Sequence, residues 1–288
     1  MDLVTYGLIN SLVLALMAIG FALAYSVSRV PNFAHGALYI LTAYLSWIFL
    51  NELGLNYVLC IILSIVFTAI VGWLIYQLVL IRVRGMPISE IIASFSIGVA
   101  ILEFLRWRGL RGGTFILPTF ASGTIHLFGT PVDLQRIFVV AMAVLVAGLI
   151  WLFTHYSKVG LGLRAIAQDE RAALMLGINS DRAASIALAL GSALAGVAAI
   201  AILPLGNITV KTGYDVLIFA IAVCICGGLG SWAGTILAAF VIGFAQILTV
   251  YFIAPHFQMV TALLAVILIL IFKPSGLFGT QKELEERV

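Results

Sequence analysis

The chain has 288 residues, of which 63% are hydrophobic and 9% charged, against about 25% charged in a soluble globular domain. That composition excludes a soluble domain and assigns the chain to the multi-span membrane proteins, where lipid leaves every backbone polar group to find its partner inside the fold. A net charge of +3, with the cations spaced between apolar runs, excludes a nucleic-acid-binding tract and points to membrane orientation instead.

In chain order, apolar segments fall at 3–27, 34–50, 57–80, 88–105, 136–155, 184–205, 214–230, 235–253 and 258–272. The N-terminal MDLVTYGLIN carries no positive n-region and no small-residue cleavage pattern, so the first segment reads as a retained span. Breaks around Asn32–Gly36 and Gly227–Gly234 are expected to be discontinuous or re-entrant. The expected fold is an all-α polytopic membrane helical bundle, one permeation domain over 1–288, with eight to ten membrane elements.

Asn10 and Ser11 stand in the first span, and Gln246 in the eighth, each in long apolar surroundings. Interhelical hydrogen bonding is the plainer use of such groups. After the first span come Pro31, Asn32, His35 and Gly36. Proline removes a helical hydrogen bond and glycine lets backbones approach, so the segment is expected to be unwound. Asn32 and His35 then either line a solute route or only fix the fold. No second ligand type stands at suitable spacing from His35, so no metal is expected.

Cys60, Cys224 and Cys226 all lie in apolar segments, and the last two diverge on a helix, which points to packing. Glu90 and Asp215 fall near span ends and read as interface residues. Glu103 stands three residues before Arg106 and is placed to pair with it. The longest outer segment, residues 112–135, is rich in Gly, Pro and Thr and reads as a compact, partly extended cap.

If the N-terminus is outside and nine segments cross, the inner side receives Arg29, Arg82, Arg84, Lys158, Arg164, Arg171, Arg182, Lys273, Lys282 and Arg287. The outer side receives Arg106, Arg108, Arg111, Arg136 and Lys211. Ten cations against five favour this orientation, with the C-terminus cytoplasmic. The longest polar inner segment then runs from Lys158 to Arg182 and holds 7 of the 27 charged residues.

Within that segment Asp169 and Glu170 stand at a helix start, where negative charge suits the dipole. Gly177 stands where a helix stops in the left-handed conformation. Ala172, Ala173 and Leu176 form a short small-sided face between them, fit either to enter a cleft on another protein or merely to join two spans. Later, Gly227, Gly228, Gly230 and Gly234 place four glycines in eight residues, which disfavours a helix interior and calls for a tight turn or re-entrant break.

The passage from Lys158 to Asn179, KVGLGLRAIAQDERAALMLGIN, resembles the coupling segment of the branched-chain amino-acid ABC permease family. Arg29–Gly36 (RVPNFAHG) and Gly227–Gly234 (GGLGSWAG) agree with the same family, in the same order. The resemblance implies a prokaryotic inner-membrane subunit importing leucine, isoleucine or valine. Its implied partners are a second permease in a heterodimer, two ABC ATPase subunits and an external substrate-binding protein. The coupling segment 158–182, with Arg164, Asp169, Glu170, Arg171, Ala172, Ala173 and Gly177, would sit on the ATPase. The candidate pathway or helix-break residues are Asn10, Asn32, His35, Gly36, Gly227, Gly228, Gly230 and Gly234. Where the family often shows a Gly-Gly pair, this chain has Ala238 and Ala239, so small replaces small.

No phosphate loop G-x-x-x-x-G-K-[ST] occurs, and no G-x-S-x-G or H-E-x-x-H. Energy from ATP must therefore come from a partner, and neither catalysis nor a cofactor is expected. Two other readings stand beside the importer: a family permease for urea, short amides or other amino acids, and an ion-coupled carrier or channel. The last commonly needs an ionisable group at a span centre, and none stands out.

Overall fold

The computed structural model describes residues 2–110, 115–127 and 129–279. Arg111, Lys282 and Arg287 of the orientation count, and residues 112–114 and 128 of the outer cap, lie outside them. The elements are α1 (Asp2–Ser28), α2 (His35–Asn51) and α3 (Tyr57–Ile75), which continues through a π-helical turn (Tyr76–Leu80) into α4 (Ile81–Val83). There follow α5 (Pro87–Arg108), β1 (Thr124–Leu127), β2 (Thr130–Asp133), α6 (Leu134–Tyr156), α7 (Lys158–Gln168) and α8 (Glu170–Met175). The chain closes with α9 (Ser180–Ile202), α10 (Val210–Gly227), α11 (Trp232–Phe252) and α12 (Gln258–Phe272).

Eight helices are long and apolar enough to cross a membrane. All nine expected segments are helical, and the ninth, α2, has 17 residues, about 26 Å at 1.5 Å per residue, a little short of a hydrocarbon core of about 30 Å. Several starts are written locally, by side chains that accept from the first free N–H groups. Asn56 takes the Val58 amide, Asn179 that of Arg182, Thr209 that of Thr212, and Ser231 that of Gly234. The caps at Asn179 and Thr209 explain why α9 and α10 begin four residues ahead of the apolar runs. Their first turns are polar and stay helical because the cap satisfies them.

The core is built around α1, which packs on α9, α11, α10 and α6. Its most apolar stretch is 72% buried, whereas that of α12 is 6% buried and therefore peripheral. Helices gain little hydrophobic energy from meeting in lipid, so close backbone approach must supply the contact. At the crossing of α1 and α9, a methyl on Gly20 would stand 2.6 Å from the Gly191 carbonyl oxygen, and one on Gly191 would stand 2.6 Å from that of Gly20. Gly36 on α2 meets the Gly213 backbone of α10 in the same way. Ala238 and Ala239 are fully buried and pack beside α1, the small-for-small exchange foreseen in the sequence.

The break after α1 is re-entrant. Arg29 takes a positive φ of 56°, and residues 30–34 run back into the bundle. The Asn32 side chain accepts from Ala34 N–H at 3.1 Å, and Ser94 Oγ on α5 accepts from Phe33 N–H at 3.3 Å. These bonds satisfy backbone groups that lipid could not. His35 Nε2 lies 3.0 Å from the Met17 carbonyl and so must carry the donated proton. Met17 is eleven residues before the end of α1, about 16 Å along the helix, so α2 starts deep within the bundle.

The connections gather at two opposite ends. At one, Tyr6 donates to the Pro131 carbonyl at 2.8 Å, Tyr57 to that of Pro118 at 3.0 Å, and Gln135 to that of Ala201 at 2.9 Å. These bonds fasten the antiparallel β1–β2 hairpin and its flanks as the expected extended cap. At the other end lie the turns at 29–34, 84–86 and 228–231, together with the polar segment 157–179.

Replacing Gly20 by Leu should destabilise the bundle by at least the usual overpacking cost of about 1–3 kcal/mol, because the obstacle is backbone that cannot rotate away. The measurement is the unfolding midpoint in detergent. Gly148→Leu on α6, where nothing lies within 4 Å, should stay within about 0.5 kcal/mol of the parent.

Candidate coupling segment and inner cavity

Two short helices, not one, make up the polar segment 157–179. Ser157 caps α7 by accepting from Gly160 N–H at 2.8 Å. Gly160, Leu163 and Ile166 then recur at helical spacing on its buried face; Gly160 lies against the Phe153–Thr154 backbone, and Leu163 and Ile166 pack with Val27, Ala183 and Ala187. The reading from sequence placed a helix only after Asp169, because α7 has too few apolar residues to stand out beside the spans. Asp169 ends α7 and caps α8, accepting from Ala172 N–H at 3.0 Å.

The stop of α8 is encoded by Gly177. At φ 82° its N–H donates to Leu174 O at 3.0 Å, and Ile178 N–H donates to Ala173 O at 3.1 Å. This is the Schellman arrangement, in which a left-handed residue lets two terminal carbonyls find donors. Ala173 is buried under the segment, which corrects the expected face of Ala172, Ala173 and Leu176. The apolar surface that projects is instead Leu174, Met175 and Leu176, the last two 89% and 80% exposed.

Arg84, just past α4, grips the base of this projection. Its Nη2 donates to Glu170 Oε1 at 2.6 Å and to Ser180 Oγ at 2.6 Å, and its Nη1 to Asp181. Ser180 also donates to Glu170, and Tyr76 of the π-helical turn donates to Asp181 at 3.1 Å. Burial opposes the Arg84 charge, but Tyr76, Asp181 and Glu170 outweigh it and hold the guanidinium above its usual range. Glu170 thus faces the bundle, not outward. Half-exposed pairs of this kind add about 0–1 kcal/mol each, so the clamp fixes orientation more than it adds stability. On the other side, Arg29 Nη2 donates to Ala167 O at the end of α7 at 3.0 Å.

Beside α7 lies a cavity of about 400 Å³, whose polar lining includes Ser26, Thr154, His155, Arg164, Gln168 and Trp232. A second, apolar cavity of about 210 Å³ continues along α1, and Ile19, Ala147 and Ile236 border both. Of the residues singled out in the sequence, Arg164 and Gly230 line the inner cavity. Arg171, Asp169, Ala172 and Gly177 are exposed on the segment.

The other candidates are spent on packing. Asn10 donates to Gln246 Oε1 at 3.0 Å and to Gly243 O at 3.2 Å, and Gln246 donates on to Gln258 O at 3.1 Å. Asn32 and His35 are buried, and the space near their neighbour Phe33 is only about 10 Å³, room for one water. Gly227 and Gly234 meet backbone to backbone where α10 turns into α11, while Gly228 and Gly230 take φ of 98° and 92° in the tight turn. Glu90 is buried and accepts from Gly85 N–H at 2.7 Å, a turn-closing role in place of the expected interface one. Glu103 and Arg106 pair at 3.0 Å as expected. Sequence reasoning missed Arg84 and the lining residues Thr154, His155 and Trp232, none of which carries a local signal.

Comparison with known proteins follows the same lines. Residues 3–272 match the family described as branched-chain amino acid transport system / permease component. The chain is 29% identical to the high-affinity branched-chain amino acid transport system permease protein BraD of Pseudomonas aeruginosa, covering 92% of this chain and 91% of that protein. It is 27% identical to the corresponding LivH protein of Escherichia coli K12, over the same shares. In fold it is similar to a chain of PsaBC from Streptococcus pneumoniae, solved with a Fab, at TM-score 0.54 and 12% identity, covering 100% of this chain and 96% of that one.

Arg84→Ala should leave the spans intact but free the base of α8. Amide hydrogen exchange at residues 170–181 is expected to speed up at least tenfold, with little change in α1 or α9, and unchanged exchange would show that the clamp does not hold the segment.

Proposed function

As the chain belongs to the branched-chain amino acid permease family, we propose that it is the transport subunit of an ATP-driven importer carrying leucine, isoleucine and valine across the cytoplasmic membrane. The chain is a multi-pass membrane protein and a permease component, which is a transport role and not a catalytic one. A second permease, two ATPase subunits and a substrate-binding protein complete the proposed assembly. ATP hydrolysis belongs to the partners, in keeping with the lack of a phosphate loop in this chain.

The observation that carries the coupling role is α8 itself. A six-residue helix, capped at its start by Asp169 and stopped by Gly177, holds Met175 and Leu176 almost fully exposed. Exposed apolar side chains grouped on a polar segment mark a protein contact. Arg84 ties the base of α8 and Arg29 the end of α7 to the bundle, so displacement of the tip by an ATPase would be passed on to the spans. Orientation follows from charge. Arg29, Arg82, Arg84, Lys158, Arg164, Arg171, Arg182 and Lys273 gather at the end bearing α8, against Arg106, Arg108, Arg136 and Lys211 at the other. That bias favours a cytoplasmic α8, an outside N-terminus and an inside C-terminus.

Gly177→Val places a branched side chain at positive φ, and Leu176→Asp puts a charge on the tip. Either change should lower ATP-driven leucine uptake at least tenfold in the assembled transporter while the subunit still inserts. Undiminished uptake by both variants would remove the coupling role. Independently, Arg171→Cys in intact cells should resist a membrane-impermeant thiol reagent and react in inverted vesicles.

A further inference from the structure

Resting on the permease reading above, we infer that the two adjacent cavities along α1 are this subunit's half of the translocation route, and that the one beside α7 is the release vestibule for a zwitterionic, apolar amino acid. Helix α1 is the most buried span, yet its face at Leu12, Ala15, Leu16 and Ile19 borders open space between α6 and α11. At its crossing with α9 the same helix closes to backbone contact at Gly20 and Gly191, so the unfilled room on its other face contrasts with close packing on the same element.

The chemistry changes along the space in the order a branched-chain amino acid requires. The inward part is walled by Ala, Leu, Ile and Val side chains, which accept an aliphatic side chain and give a charged ion no partner. Nearer the cytoplasmic end, Gln168 and the second ring nitrogen of His155 provide hydrogen-bonding groups, while the hydroxyls of Ser26 and Thr154 donate to Leu23 O and Ile150 O and keep only acceptor capacity. Arg164, which makes no ion pair among the described residues, provides a cation for the carboxylate. A volume of about 400 Å³ lies within the range of small-ligand pockets, about 300–1,000 Å³.

One wall of the vestibule is the coupling segment itself. Leu163, Arg164, Ala167 and Gln168 all belong to α7 and face the α10–α11 turn at Gly230–Ala233 across the cavity. Asp169 joins α7 directly to α8. A push on the exposed tip therefore moves a wall of the vestibule without an intermediate element. The space beside Phe33, next to the break at Asn32 and His35, is only about 10 Å³, which favours a route along α1 instead.

The test uses the full transporter in inverted vesicles and proteoliposomes, with single cysteines at Leu12, Ala147, Ile236 and Gln168. Leu152 and Leu268, on outward faces of α6 and α12, serve as comparison sites, and the three native cysteines are buried. A water-soluble methanethiosulfonate reagent should modify the four route positions and cut leucine uptake at least tenfold relative to the same variant left unmodified. Leucine should slow that modification at least threefold, and Leu152→Cys and Leu268→Cys should not react. If the parent complex takes up leucine but the route cysteines are unreactive, or react without loss of uptake, the space is a lipid-filled groove and the inference falls alone. If the parent complex shows no uptake, the permease reading falls and carries the inference with it.

Discussion

Hydrocarbon offers no hydrogen bonds and no hydrophobic reward for helix association, and every feature of this bundle answers that constraint. The helices are held where backbones touch, at Gly20 with Gly191 and at Gly36 with Gly213. Several polar side chains inside the spans are consumed in pairs, as when Asn10 finds Gln246 or Thr42 finds Thr68 at 2.8 Å, and others, such as Ser192, bond to their own helix backbone. Even the irregular passage after α1 is tolerable only because Asn32, Ser94 and the Met17 carbonyl take up its free groups. The consequence for function is that polar residues in the spans are poor guides to a solute route, since most are occupied in holding the fold.

At the end bearing α8 water returns and the economy changes. Charged groups become affordable, and Arg84 and Arg29 tie the α7–α8 segment to the bundle from opposite sides. Both ends of α8 are set by local chemistry, the Asp169 cap and the left-handed Gly177, so the helix keeps its shape when its apolar tip is pressed. Rigidity at the tip and weak, half-exposed ion pairs at the base suit the coupling role proposed for this segment. The neighbouring cavity shares a wall with α7, which places the proposed coupling segment and the open space in direct contact.

Much of the fold and part of the site were legible in the chain. Membrane class and the nine apolar segments follow from composition and run length, which are one-dimensional quantities. The stop at Gly177, the helix start at Asp169 and the turn at Gly227–Gly234 follow from local backbone chemistry and hold in the structure, where Asp169 also proves to be a side-chain cap. The weaker readings failed for a common reason. Ala173 was grouped with an exposed face because spacing alone does not say which side of a short helix meets the bundle, and α7 was hidden because its buried stripe is only three residues long.

The amino-acid order by itself determined what each segment is: a span, a cap, a stop or a polar connector, since periodicity and capping act within a few residues. Only the tertiary structure decided which faces meet. Arg84 reaches Glu170 and Asp181 across 86 and 97 residues of chain, and Asn10 reaches Gln246 across 236. The space beside α1 exists because α6 and α11 stand apart there. Such pairings depend on how each helix is rotated and where it crosses its neighbours, and that geometry is set by the packing of the whole bundle.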